Sequence, residues 1–153
     1  MPSQIADTVS IVVAGLMTGT ELAVAVFLHP TLSRLPDQVH ASAARAFARV
    51  FGRYMPFWYA LTLLLSAIEV WLHWPLVSTG AKLLLMAALL WLFTIVFSVV
   101  FPVPINNRVA AWNLDALPPD WREDRRRWDR LHAFRVVILL VALISLVFGI
   151  LTA

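Results

Sequence analysis

No cysteine occurs in the 153 residues, so disulfides, thiolate metal centres and thiol nucleophiles are excluded, and cysteine usage says nothing of the redox compartment. Charge is scarce. Asp, Glu, Lys and Arg make up 14% of the chain, against about 25% in ordinary soluble domains. Lys82 is the single lysine, and the five glycines form no phosphate-cradling loop. HExxH and GxSxG are absent as well, which removes the commonest zinc-hydrolase and serine-hydrolase readings. No run alternates with a period of two, so a transmembrane β-barrel is excluded.

What remains is apolar. Hydrophobic residues account for 61% of the chain and mean hydropathy is +0.80, the composition of an integral membrane protein. Four apolar segments, Ile5–Leu28, Met55–Trp74, Ala81–Phe101 and Ala133–Leu151, each approach the roughly 20 residues a helix needs to cross the hydrocarbon. Lipid cannot satisfy main-chain polar groups, so these segments must be helices. The expected fold is all-α: one transmembrane four-helix bundle over residues 1–153. The first segment lacks a basic start and exceeds the usual apolar length of a cleavable signal, so it reads as a retained span.

The basic residues are segregated. Arg34, Arg45, Arg49 and Arg53 lie between the first two spans; Arg108, Arg122, Arg125, Arg126, Arg127 and Arg130 lie between the last two, with Arg135 just inside the fourth. The positive-inside rule places both long connections in the cytoplasm and both termini outside, as in a bacterial inner-membrane protein. The net charge of +3 and pI near 10.2 suit anionic headgroups, and no nucleic-acid recognition motif accompanies them. In "ASAARAFARVFGRY" the apolar residues recur at helical spacing, with Arg45, Arg49 and Arg53 on a separate stripe. That pattern predicts an amphipathic helix lying at the cytoplasmic interface. "DWREDRRRWDR" predicts a solvated extension of the fourth span.

Several polar residues interrupt the apolar spans. Gly15, Gly19 and Ala23 form a small-residue ridge that predicts close approach by another helix and a possible homo-oligomer contact. Glu21 lies deep in the first span, where a carboxylate is costly and therefore a functional candidate. His29 precedes Pro30, which predicts the helix exit. Trp128, His132 and Arg135 share one stripe of the fourth helix with Leu139, Ala142 and Leu146. These groups gather at the arginine-rich end of the bundle. A direct Glu21–Arg135 pair is not expected, because Cα–Cβ bonds tilt toward each helix's N-terminus and send the two side chains apart. Pro102 and Pro104 predict an extended approach to Asn106 and Asn107. Glu69 and His73 read as a water-facing pair within an aromatic belt. Trp91, in mid-span, is either core packing or pocket wall.

"TGTELAVAVFLHP", "YMP", "PINNRVAAW" and "WREDRRRWDRLHAFR" together resemble the anthrone oxygenase-like family of small four-helix membrane proteins, over essentially the whole chain. The family pattern falls on Glu21, His29 and Pro30, Tyr54 and Pro56, Pro104 and Asn106, and Trp128, His132 and Arg135; Asn107 is not part of it. The resemblance implies oxygenase chemistry, in which an anthrone-like or other electron-rich phenolic carbon acid is deprotonated and its anion reacts with dioxygen. It assigns Glu21 or His132 as base and Arg135 and Asn106 as oxyanion donors. His29, Tyr54, Trp91 and Trp128 are the candidate substrate contacts. No cofactor is then required. Two alternatives stand beside it: a metal- or haem-dependent redox protein using His29, His132 and Glu21 as ligands, and a non-enzymatic membrane partner or transport component.

Overall fold

The computed structural model describes residues 2–153 along the main chain, with side-chain surroundings from residue 4 onward. Every regular element is helical among these residues. The first span is α1, Pro2–Ala23, which passes through a widened π turn at Val24–Leu28 into α2, His29–Leu32. Proline cannot donate to the carbonyl four residues back and its ring collides with it. In the π turn the His29 amide bonds to Val24 instead, so Pro30 is accommodated without ending the helix. The predicted exit at Pro30 therefore moves to the turn before Pro36.

α3 runs unbroken over Asp37–Leu72, 36 residues and about 54 Å at helical rise. It contains both the second span and the amphipathic segment predicted to lie flat on the membrane. That segment stands upright because it has partners. Ala41, Ala44 and Ala48 pack with Ile105, Val109, Trp112, Trp121 and Trp128 in a small core. Arg49 Nε donates to the Ala110 carbonyl at 3.0 Å, and Gln38 Nε2 donates to the Leu114 carbonyl at 2.7 Å.

α4 spans Thr79–Val100, capped by the Ser78 hydroxyl, which accepts from the Ala81 amide. α5, Pro102–Ala110, replaces the extended approach predicted there. Pro102 and Pro104 fall in its first turn, where amides have no intrahelical acceptor and a missing N–H costs nothing. α6, Trp121–Thr152, closes the bundle. Arg108 of α5 grips Asp124 of α6 at 2.5 Å, and Arg122 pairs with Asp37 of α3.

Four helices are long and apolar enough to cross a membrane, and the protein is an integral membrane four-helix bundle. Its main core joins Ala14, Met17, Tyr59, Leu84, Ala87, Trp91, Leu139, Ala142 and Leu146, while Leu16, Phe57, Leu64, Phe93, Val137 and Phe148 stand exposed around it, as a lipid-facing surface requires. The predicted ridge is not where helices of the one chain touch. A Cβ on Gly15 or Gly19 would meet nothing within 4 Å, whereas one on Gly149 of α6 would lie 2.7 Å from Leu84 Cδ2 of α4. Close approach is thus built into the α4–α6 seam. Glu69 also departs from expectation. It has no exposed surface and accepts the Ser10 hydroxyl at 2.7 Å, while His73 Nδ1 meets only its main-chain carbonyl at 2.9 Å.

Candidate functional site

Around the arginine-rich end of the main core the four spans part to leave a cavity of about 240 Å³. Its polar end is built from α1, α3 and α6. Glu21, 3% exposed, accepts from Arg135 Nη2 at 2.6 Å on Oε2 and from the Tyr59 hydroxyl at 3.1 Å on Oε1. The predicted separation of Glu21 and Arg135 is overturned. Cβ tilt fixes only the first bond, and the later torsions of two long side chains can bring their ends together in staggered rotamers, whereas stranding one of two buried charges costs about 3–5 kcal/mol.

Arg135 is held on several sides. Nη1 donates to Ser98 Oγ at 3.0 Å, Nη2 also meets His132 Nδ1 at 2.9 Å, and the guanidinium lies 5.5 Å from the Tyr59 ring centre. Nε is buried without a protein partner. His132 Nε2 faces the Glu21 carbonyl at 3.1 Å. A carbonyl only accepts, so this nitrogen carries the proton and Nδ1 is the acceptor for Arg135. Both ring nitrogens are therefore engaged, and His132 is an orienting group more than a free base. Trp128 stacks on it at 4.8 Å and 9°, and Trp128 Nε1 is a second buried N–H with no partner.

The remaining candidates divide. Asn106 and Asn107 both line the cavity, but Asn106 commits one amide hydrogen to the Ala48 carbonyl at 3.0 Å, so it locks α5 onto α3 as well as facing the site. His29 lies outside the main cavity, its ring edge-on to both Trp128 and His132 at 4.9 Å between ring centres, with Nδ1 3.4 Å from Asp129. Tyr54 is 59% exposed and stands under Arg53, outside the cavity. Trp91 is fully buried core, packed against Tyr59 at 6.3 Å, and does not reach the cavity wall. Tyr59 is the tyrosine at the site. It belongs to a buried stripe with Thr62, Ser66 and Glu69, a helical spacing visible in the sequence.

The donor set does not suit a metal. Among the described residues no three His, Asp or Glu side chains are grouped as ligands. Glu21 Oε2 and His132 Nδ1 lie 3.2 Å apart, but Arg135 Nη2, a fixed cation, sits on both, and His29 does not line the cavity.

The family model for anthrone oxygenase matches residues 43–145. The chain belongs to that family. Within the matched stretch lie Tyr59, Asn106, Trp128, His132 and Arg135, so four of the five structural contributors to the cavity, α3 to α6, come from the part that defines an anthrone oxygenase family member. α1 contributes Glu21 from before it. No curated protein and no solved structure matches the chain.

Proposed function

We propose that this anthrone oxygenase family member is a membrane-embedded oxygenase acting on an anthrone-like or related electron-rich phenol. The observation that carries the reading is the buried Glu21–Arg135–Tyr59 cluster at one end of a largely apolar cavity. It joins a carboxylate base to a guanidinium with an unpartnered N–H, in surroundings where such groups act strongly. Glu21 takes a proton from the activated methylene. The resulting carbanion is delocalised onto the ring oxygen, which Arg135 Nε and Trp128 Nε1 are available to steady. The anion forms a C–O bond to dioxygen, and uptake of the proton gives a hydroperoxide. Loss of water, breaking the remaining C–H and the O–O bond, leaves a carbonyl. One oxygen atom ends in the product and one in water, so the substrate supplies all the electrons. His132 orients Arg135, and the apolar walls exclude water.

In this reading no metal or haem takes part, and the long connections face the cytoplasm of a bacterial inner membrane, where the arginines meet anionic headgroups. The test is oxygen uptake by protein in lipid nanodiscs given a panel of anthrones and electron-rich phenols. Uptake and quinone formation in a one-to-one ratio, well above spontaneous autoxidation, are expected. No acceleration for any of them would defeat the proposal, and a stoichiometric transition metal in the purified protein would defeat its metal-free part. Because the chain has no native cysteine, single cysteines in the 113–120 connection report orientation directly: labelling of intact cells by an impermeant maleimide would reverse it.

A further inference from the structure

The cavity has a polar end and an open side, and they face different media. Its buried walls carry Glu21, Tyr59, His132 and Arg135. Its exposed wall residues are of another kind. Gly52, Pro56 and Ala60 stand on α3, Val99 on α4, and Val103 and Asn107 on α5. All six lie along the seam between α3 and the α4–α5 pair, and only Asn107 carries a polar side chain. On the same helices Phe57, Leu61, Val96 and Val100 are exposed apolar residues, the surface that meets lipid. Ala60 is seven residues beyond Arg53, about 10 Å along the helix, so the opening begins near headgroup level at Gly52 and reaches into the hydrocarbon.

We propose that the cavity takes its substrate sideways from the bilayer, through the α3/α4–α5 seam, and that its ligand is a compact, flat polycyclic phenol dissolved in the lipid. This rests on the oxygenase reading for the chemistry at the inner end, but the route itself follows from the walls. A charged or strongly hydrated molecule would have to shed its water against Ala60, Val99 and Val103, with only the Asn107 amide and the Gly52 carbonyl nearby to replace it. A flat apolar ring system loses nothing on the same path and presents its oxygen to the buried donors on arrival. The volume of about 240 Å³ falls below the roughly 300–1,000 Å³ of most small-molecule pockets, which favours a compact ring system over a long-chain lipid.

Two main-chain features adapt the seam to this use. Pro56 has no N–H to give the Gly52 carbonyl, and both residues line the cavity, so an acceptor for a phenolic hydroxyl stands at the entrance. A Cβ on Gly52 would lie 3.1 Å from Asn106 Nδ2, so a bare Cα is what lets α5 sit close while leaving the seam open. Gly52, Pro56, Ala60 and Val99 thereby become selectors of substrate shape.

The experiment uses the whole chain in lipid vesicles with a single cysteine at Ala60→Cys or, as a lipid-facing control on α6 away from the seam, Val137→Cys. Each is treated with a long-chain N-alkylmaleimide, which enters the bilayer, or with a sulfonated maleimide, which stays in water; a hydroxylated anthraquinone is the competing ligand. Both cysteines are expected to react with the alkyl reagent and neither with the sulfonated one. The anthraquinone should slow labelling of Ala60→Cys at least several-fold and leave Val137→Cys unchanged. Rapid reaction of Ala60→Cys with the sulfonated reagent would show a water-facing mouth and overturn the proposal, as would equal or absent protection at the two positions. Labelling needs no turnover. Protection at Ala60→Cys in a protein that consumes no oxygen would refute the oxygenase reading alone, while oxygen uptake with a water-labelled Ala60→Cys would refute lateral entry alone.

Discussion

Replacing Glu21 by glutamine keeps the shape of the side chain and removes its charge. Arg135 then remains in the bundle interior with only neutral partners, Ser98 Oγ and His132 Nδ1. Losing one neutral hydrogen bond costs about 0.5–1.5 kcal/mol, but stripping one member from a buried ion pair costs about 3–5 kcal/mol. The charge term dominates, so Glu21→Gln should lower stability by about 3–5 kcal/mol and turnover by about 10²- to 10⁴-fold, the usual worth of a positioned base. A drop in both would not separate structure from chemistry, so the decisive protein is Glu21→Gln combined with Arg135→Met. With neither charge present nothing is left unpaired, and most of the stability should return. Turnover should not. Thermal unfolding and initial rates of oxygen uptake in the same nanodiscs read the two quantities. If the double variant regains activity along with stability, the pair is a structural clasp and the base lies elsewhere. If Glu21→Gln alone unfolds at the wild-type temperature, the pair is not buried as described.

Tyr59→Phe removes a hydroxyl that donates to a carboxylate, a bond worth about 1.5–3 kcal/mol, so turnover should fall about ten- to a hundredfold while exposed Tyr54→Phe leaves the rate unchanged; equal effects would displace Tyr59 from the site. Gly149→Ala drives a Cβ against Leu84, including its main-chain nitrogen at 3.0 Å, and should cost about 1–3 kcal/mol of overpacking, whereas Gly19→Ala, with open space around it, should not lower the melting temperature. Glu69→Ala leaves the Ser10 hydroxyl without its acceptor and should destabilise by about 1–3 kcal/mol. Its rate should hold, because ten residues, about 15 Å along α3, separate it from Tyr59; a lost rate with intact stability would move the active end of the bundle.

The spans and the bundle were legible because lipid leaves the main chain no choice but helix, and composition alone marks which segments meet lipid. Glu21, His132 and Arg135 were legible for a related reason: an ionisable group at that depth needs a partner inside the bundle. Their actual pairing was not, because local rules describe where a side chain starts and the partner decides where it ends. The proline signals at positions 30, 102 and 104 failed in part for a similar reason. Pro30 was read as a helix exit, yet it follows a π turn that absorbs it; the third span does end at Val100, but Pro102 and Pro104, read as extended chain, lie in the first turn of α5, where no bond is lost. The upright first half of α3 depends on Trp112, Trp121 and Trp128 arriving from elsewhere in the chain, which no periodicity within α3 could reveal. Tyr59 was missed although its stripe was visible, because Tyr54 carried the family pattern.

The π turn at Val24–Leu28 has a geometric effect of its own. A π turn is an α-helix with one residue inserted, and one residue is about 100° of helical rotation. α1 serves two cores: Ala14 and Met17 face the membrane core, while Val24 and Leu28 meet the arginine-end core. The inserted residue works as a phase shifter between them, letting a single rod present one angular setting to the bilayer section and another to the section beyond. A deletion of one residue anywhere in Val24–Leu28 would therefore rotate α2, swinging His29 away from Trp128 and His132 while leaving Glu21 and all that precedes it in register.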